Sequence, residues 1–130
     1  MAQKILIVDD EPDIVEVIHK KLLMEGYEVI TAFDGQEALV KVEKNDPDVI
    51  LLDLMLPKLN GFEVLKEIRQ RFTSKWRPVI IISAKTDLDG IKECYNLEAD
   101  LYLNKPCNMD NILQGIETVV SLIPLRINHQ

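Results

Sequence analysis

What most constrains the fold of this chain is a regular alternation. Short runs of β-branched and aliphatic residues recur five times, each followed by a stretch with apolar residues at helical spacing. The runs predict strands over residues 5–8, 28–31, 49–53, 79–82 and 101–103. Three of these are almost wholly apolar, the pattern of strands covered on both faces. The first helical stretch opens near Pro12, a residue suited to an initial turn, repeats Ile14, Ile18 and Leu22, and stops at Gly26. The second covers residues 36–43, with Ala38, Leu39 and Val42 inward, before Asn45-Asp46-Pro47 breaks it. The third follows Gly61 and is expected to bury Phe62, Leu65 and Ile68. The fourth, residues 88–97, is short and offers only Ile91, Tyr95 and Leu97 as anchors. The fifth follows Pro106 and repeats Ile112, Ile116, Val119 or Val120, and Ile123.

Five strands alternating with five helices imply an α/β fold: a single doubly wound, five-stranded parallel sheet. Crossovers between parallel strands are right-handed almost without exception, which leaves few alternatives. The expected strand order is the flavodoxin-like 2-1-3-4-5, which puts ligands beyond the carboxyl ends of strands 1 and 3. No repeat or linker divides the chain, so residues 1–123 read as one domain and residues 124–130 as a short tail.

Composition narrows the function. Acidic residues number 22 against 15 basic ones, a net charge of −7, which argues against a domain that grips nucleic acid by its phosphates. The longest apolar runs, such as residues 49–52 and 79–82, are too short to span a bilayer. The first ten residues carry one lysine and end in two acids, unlike a signal peptide, so a cytoplasmic location is the default expectation. Cys94 and Cys107 lack disulfide or zinc spacing and read as reduced, partly buried thiols. His19 and His129 are far apart and read as a helix-edge residue and a tail residue.

Part of the acidic surplus falls where the fold predicts ligands. Asp9 and Asp10 end strand 1, and Asp53 ends strand 3. Two carboxylates about 4 Å apart repel by roughly 4 kcal/mol at an effective dielectric near 20. A hard divalent cation offsets that, and Mg²⁺ favours a few carboxylates with water and phosphate oxygens. One aspartate after a strand is usually a cap or turn residue, but three on adjacent strand ends are not so readily dismissed. Strand 4 ends with Ser83, and strand 5 leads through Asn104 to Lys105-Pro106. Alone, the serine is a turn-former and the lysine a solvated charge. Together they bring a hydroxyl and an ammonium to the acidic rim, the parts that hold a phosphoryl group. Asp53 is then the candidate nucleophile, since a carboxylate can form an acyl phosphate.

Four segments carry a family resemblance. They are Ile5-Leu6-Ile7-Val8-Asp9-Asp10-Glu11-Pro12, Val49-Ile50-Leu51-Leu52-Asp53-Leu54-Met55-Leu56-Pro57, Ile81-Ile82-Ser83-Ala84 and Asp100-Leu101-Tyr102-Leu103-Asn104-Lys105-Pro106. In order and spacing they resemble the receiver domains of two-component signalling. The resemblance implies that Asp53 is phosphorylated by a histidine kinase or histidine phosphotransfer protein. It implies that Asp10, Asp53 and the backbone carbonyl of Met55 hold Mg²⁺ (or Mn²⁺), with Asp9 acting through water. Lys105 is implied to reach the phosphoryl oxygens, with a cis bond to Pro106. Ser83 and Tyr102 match the switch pair that reshapes the face of helix 4, strand 5 and helix 5 toward a downstream protein or effector domain. Such a domain is a signalling phosphoacceptor rather than an enzyme, assists its own dephosphorylation under the influence of the residues at Met55 and Lys85, and touches neither nucleic acid nor membrane.

Departures from the pattern are Glu98 for a frequent glycine, Cys107 for a frequent aromatic, and Asn60 for a common aspartate. Asp110 and Gly115 stand where the winged-helix transcriptional branch carries dimer-forming arginines, so a monomer or weak dimer is expected. A phosphatase with a nucleophilic aspartate would favour a carboxylate at Met55, and a nucleotide carrier would show a glycine-rich loop after strand 1. A degenerate scaffold of the same fold would have lost Asp53 or Lys105.

Overall fold

A computed structural model describes residues 3–84 and 88–128. The elements alternate as β1 (Lys4–Val8), α1 (Pro12–Met24), β2 (Glu28–Ala32), α2 (Gly35–Asn45), β3 (Val49–Leu52), α3 (Gly61–Arg71), β4 (Val79–Ser83), α4 (Leu88–Asn96), β5 (Leu101–Asn104) and α5 (Met109–Asn128). All four strand pairings are parallel, in the order β2-β1-β3-β4-β5. The expected doubly wound architecture is therefore present.

The period of two along each strand divides the core into halves. Leu6, Val8, Ile50, Leu52 and Ile81 face α2, α3 and α4, where Ala38, Val42, Val64, Leu65 and Ile68 are buried. Ile5, Ile7, Val49, Leu51, Ile80 and Ile82 face α1 and α5, meeting Val15, Ile18, Leu22, Ile112, Ile116 and Val119. Every residue of β1 after Lys4, and every residue of β3 and β4, is buried, which explains their continuous apolar sequence.

Three details differ from the sequence reading. In α3, Val64 is buried with Leu65 and Ile68, while Phe62 is only partly covered. In α4 the buried residues are Gly90 and Cys94, and Tyr95 is 48% exposed. The face turned inward is the one with small side chains, which carry little hydrophobic signal. The α5 helix continues to Asn128, so residues 124–128, expected as tail, extend it. Pro124 suits helical φ but removes the bond that its N–H would give four residues back, so its place in the helix is a local cost. Lys85 and His129 lie outside the described residues.

Candidate functional site

The register of the sheet assembles the site. Val8 and Leu52 are paired across β1 and β3, so Asp9 and Asp53 follow side by side. The Asp53 N–H donates to the Val8 carbonyl at 3.0 Å, extending the ladder one step past the strand. On the other side Ser83 pairs with Asn104, and the Lys105 N–H donates to the Ser83 carbonyl at 2.9 Å. The Lys105–Pro106 bond is cis. Gly61 lets α3 start against this rim: a Cβ there would stand 2.5 Å from the Asp53 carbonyl oxygen and from the Leu54 Cα.

Lys105 lies between the two buried acids. Its Nζ is 2.8 Å from Asp9 Oδ2 and 2.9 Å from Asp53 Oδ2. Both carboxylates are about 5% exposed and the lysine 14%, so little water screens these contacts. The second oxygen of each acid accepts a backbone N–H: Glu11 to Asp9 Oδ1 at 2.9 Å, Met55 to Asp53 Oδ1 at 3.1 Å. Burial pushes the Asp53 carboxyl above its ordinary value, and the nearby Asp9 charge adds to this. The Met55 N–H and the Lys105 ammonium oppose it only in part. For Lys105 burial acts downward, but hydrogen bonds to Asp9 and Asp53, and their charges, outweigh it and raise the ammonium well above its usual range. One cation thus serves two buried carboxylates, and Asp53 receives only a share of it.

Asp10 and Glu11 are exposed at the mouth, and one oxygen from each of Asp9, Asp10, Glu11 and Asp53 can be chosen so that all lie within 4.8 Å of one another. An all-oxygen set, half buried and half open to water, has the chemistry of a Mg²⁺ or Mn²⁺ site and not of a zinc site. Glu11 is the member that the sequence reading passed over; an acid between Asp10 and Pro12 reads as an ordinary helix-start residue. Its Oε1 lies 3.4 Å from Lys105 Nζ.

The remaining expected residues are placed as follows. Ser83 is fully buried at the end of β4. Met55 is largely exposed in the β3–α3 loop. Tyr102 is half-buried in β5, paired with Ile81, and packs toward the α2–α4 side of the core. The structure thus joins Asp9, Asp53 and Lys105 through side chains, adds Asp10 at the mouth, and ties Met55 and Ser83 in through backbone. Glu98 holds φ +67, the left-handed conformation in which glycine is least strained, so the turn into β5 keeps its shape without one. Cys107 borders a groove of about 560 Å³ between α1 and the start of α5, consistent with its small side chain. Among the described residues no helix is long and apolar enough to cross a membrane.

The chain resembles known proteins in sequence and in fold. The chain is 46% identical over 120 residues to the alkaline phosphatase synthesis transcriptional regulatory protein PhoP of Bacillus subtilis, covering 92% of this chain and 49% of that protein. It is 39% identical over 116 residues to the transcriptional regulatory protein KdpE of Mycobacterium tuberculosis, covering 89% and 50%. It spans about half the length of these relatives. Among solved structures, a CheY-like response regulator receiver domain protein from Methanospirillum hungatei superposes with a TM-score of 0.89 at 29% identity, covering 97% of this chain and 99% of that one. Vibrio cholerae chemotaxis protein CheY4 gives 0.85 at 34% identity, covering 92% and 99%. The family model for the response regulator receiver domain matches residues 5–117, and the chain belongs to that family, as a receiver domain of two-component signalling.

Proposed function

We propose that this domain accepts a phosphoryl group onto Asp53 from the phosphohistidine of a histidine kinase or histidine phosphotransfer protein. A carboxylate oxygen of Asp53 attacks phosphorus in line; the new O–P bond forms as the P–N bond breaks. The ring departs as neutral imidazole, keeping the proton on its other nitrogen. The observation that carries this reading is the Lys105 ammonium, held 2.9 Å from Asp53 and 2.8 Å from Asp9, where it can follow negative charge onto a transferred phosphoryl group.

Asp10, Asp53 and the Met55 carbonyl are the groups that would hold Mg²⁺ or Mn²⁺, with Asp9 acting through water. When bound, the cation neutralises the acids and polarises the phosphoryl oxygens. Ser83 then donates its hydroxyl to the phosphoryl group, and Tyr102 turns inward behind it. That change biases a two-state face formed by α4, β5 and α5, which a downstream protein or effector domain reads. Neither Met55 nor Lys85 is suited to orient an attacking water, so the phosphorylated state is long-lived. The domain acts in the cytoplasm as a signalling phosphoacceptor that assists its own phosphorylation and dephosphorylation.

Trapping the acyl phosphate with borohydride, after incubation with acetyl phosphate and Mg²⁺, tests this. Reduction should convert residue 53 alone to homoserine, and omission of Mg²⁺ should abolish the product. Modification at Asp9 or Asp10 instead would overturn the assignment.

A further inference from the structure

We infer that Glu11 sets which phosphoryl donors this domain accepts, its charge holding back small free anions relative to a protein-borne phosphohistidine. The inference rests on Asp53 being the acceptor. Glu11 occupies the N-cap of α1, with φ −98° and ψ 104°, yet its side chain makes no capping bond. Short polar residues normally close this position by accepting a backbone N–H of the first turn. The Glu11 carboxylate instead extends to within 3.4 Å of Lys105 Nζ.

Lys105 does not need this contact. It already has two closer, buried partners in Asp9 and Asp53. The Glu11 side chain is 58% exposed, and ion pairs at such exposure add little to stability. What Glu11 does contribute is a negative charge at the entrance, exposed and held only by its longer approach to Lys105. Four carboxylates face one ammonium, so a single divalent cation leaves one negative charge over. Asp9, Asp10 and Asp53 would be engaged by the cation and the reaction, which leaves Glu11, exposed at the mouth, to meet the incoming donor.

A free donor such as acetyl phosphate brings its negative charge to that entrance with no compensating contact. A protein donor can set its own basic side chains against Glu11, turning a repulsion into part of its docking. One residue thereby separates the two classes by electrostatics alone, without touching the reacting atoms.

The test compares initial phosphorylation rates of the wild type, Glu11→Gln and Glu43→Gln with acetyl phosphate and with phosphoramidate, which carries less negative charge. Glu43 is exposed near the far end of α2 and pairs only loosely with Arg71 at 3.8 Å, so its variant removes the same charge away from the site. With acetyl phosphate at low salt, Glu11→Gln should react roughly 3- to 10-fold faster than wild type. The gain should be smaller with phosphoramidate, and should fall below about twofold near 0.5 M salt, where screening is strong. Glu43→Gln should match the wild type. An unchanged Glu11→Gln rate, a gain indifferent to salt and donor charge, or an equal gain in Glu43→Gln overturns the inference. Failure of every donor to label the wild type, or equal labelling of Asp53→Asn, instead overturns the reading of Asp53 on which it rests.

Discussion

The guanidinium of Arg69, at the end of α3, donates two hydrogen bonds to the carbonyl of Glu98 in the α4–β5 turn, at 3.0 and 2.8 Å. The same group reaches the Arg77 carbonyl at 2.6 Å and Asp100 Oδ2 at 2.7 Å, and that carboxylate also accepts the Val79 N–H at 2.9 Å. One side chain therefore pins the far end of α4 to the starts of β4 and β5. Arg69→Met should lower stability by about 2–3 kcal/mol, because it removes a charge-assisted bond to Asp100 and the donors to two carbonyls. Arg69→Lys should recover little, since an ammonium cannot reproduce the fork. Glu98→Gly should change stability in the other direction, by up to about 1 kcal/mol, by removing left-handed strain at a non-glycine residue. Urea denaturation midpoints of the three variants check all of this.

Gly61 is expected to be intolerant of even one methyl group. The added Cβ would press at 2.5 Å on the backbone of Asp53 and Leu54, which cannot yield as a side-chain tip can. Gly61→Ala should cost roughly 1–3 kcal/mol and slow phosphorylation by displacing the acceptor. Phosphorylation at the wild-type rate would show that the β3–α3 junction has more room than the structure gives it.

Much of this was legible in the sequence, for identifiable reasons. β1, β3 and β4 are buried on both faces, so their residues are apolar without interruption, and the register that follows brings Asp9, Asp53 and Lys105 together. Where the inward face is made of small residues, as with Gly90 and Cys94 in α4, periodicity pointed to Tyr95, which is exposed. Long-range polar contacts left no local trace. Arg77 is 3% exposed and donates to Asp46 Oδ1 and the Pro47 carbonyl, both at 3.0 Å, from about thirty residues away. Nothing near Arg77 or Arg69 in sequence announces these bonds. Glu11 was missed because its helix-start position supplied a sufficient ordinary reading.

Acid sensitivity has an identifiable contributor at the opposite end of the sheet. Asp48 accepts the Lys4 N–H at 2.8 Å and the Lys75 ammonium at 2.7 Å. Burial alone would raise its carboxyl, but the bonds and charges of Lys75 and Lys4 outweigh it and hold it below the ordinary 3.8. A group depressed in the folded state stabilises above its unfolded value and loses that contribution as pH falls through the folded one. Asp48→Asn should therefore cost about 1 kcal/mol near neutrality, and the difference from wild type should shrink below about pH 4. Thermal melts of both proteins across pH 3–7 test the sign; a gap that widens on acidification would refute it.

Activation should leave the domain largely monomeric at micromolar concentration. Asp110 puts an acid, not a base, in the first turn of α5. Gly115 is buried, and the Leu101 side chain fills its place, 2.9 Å from where a Cβ would stand. This part of the α5–β5 contact is thus apolar and internal, without the cations that a charged symmetric interface requires. Sedimentation velocity with and without beryllofluoride should show no tight dimer.

The most direct test of the central claim is the intact mass of the wild type and Asp53→Asn after incubation with a phosphorylated histidine kinase and Mg²⁺. One phosphoryl group is expected on the wild type and none on the variant, with both proteins folded. A phosphoryl adduct of similar yield on Asp53→Asn would contradict the account, because the carboxylate that Lys105 holds at 2.9 Å would then not be the acceptor.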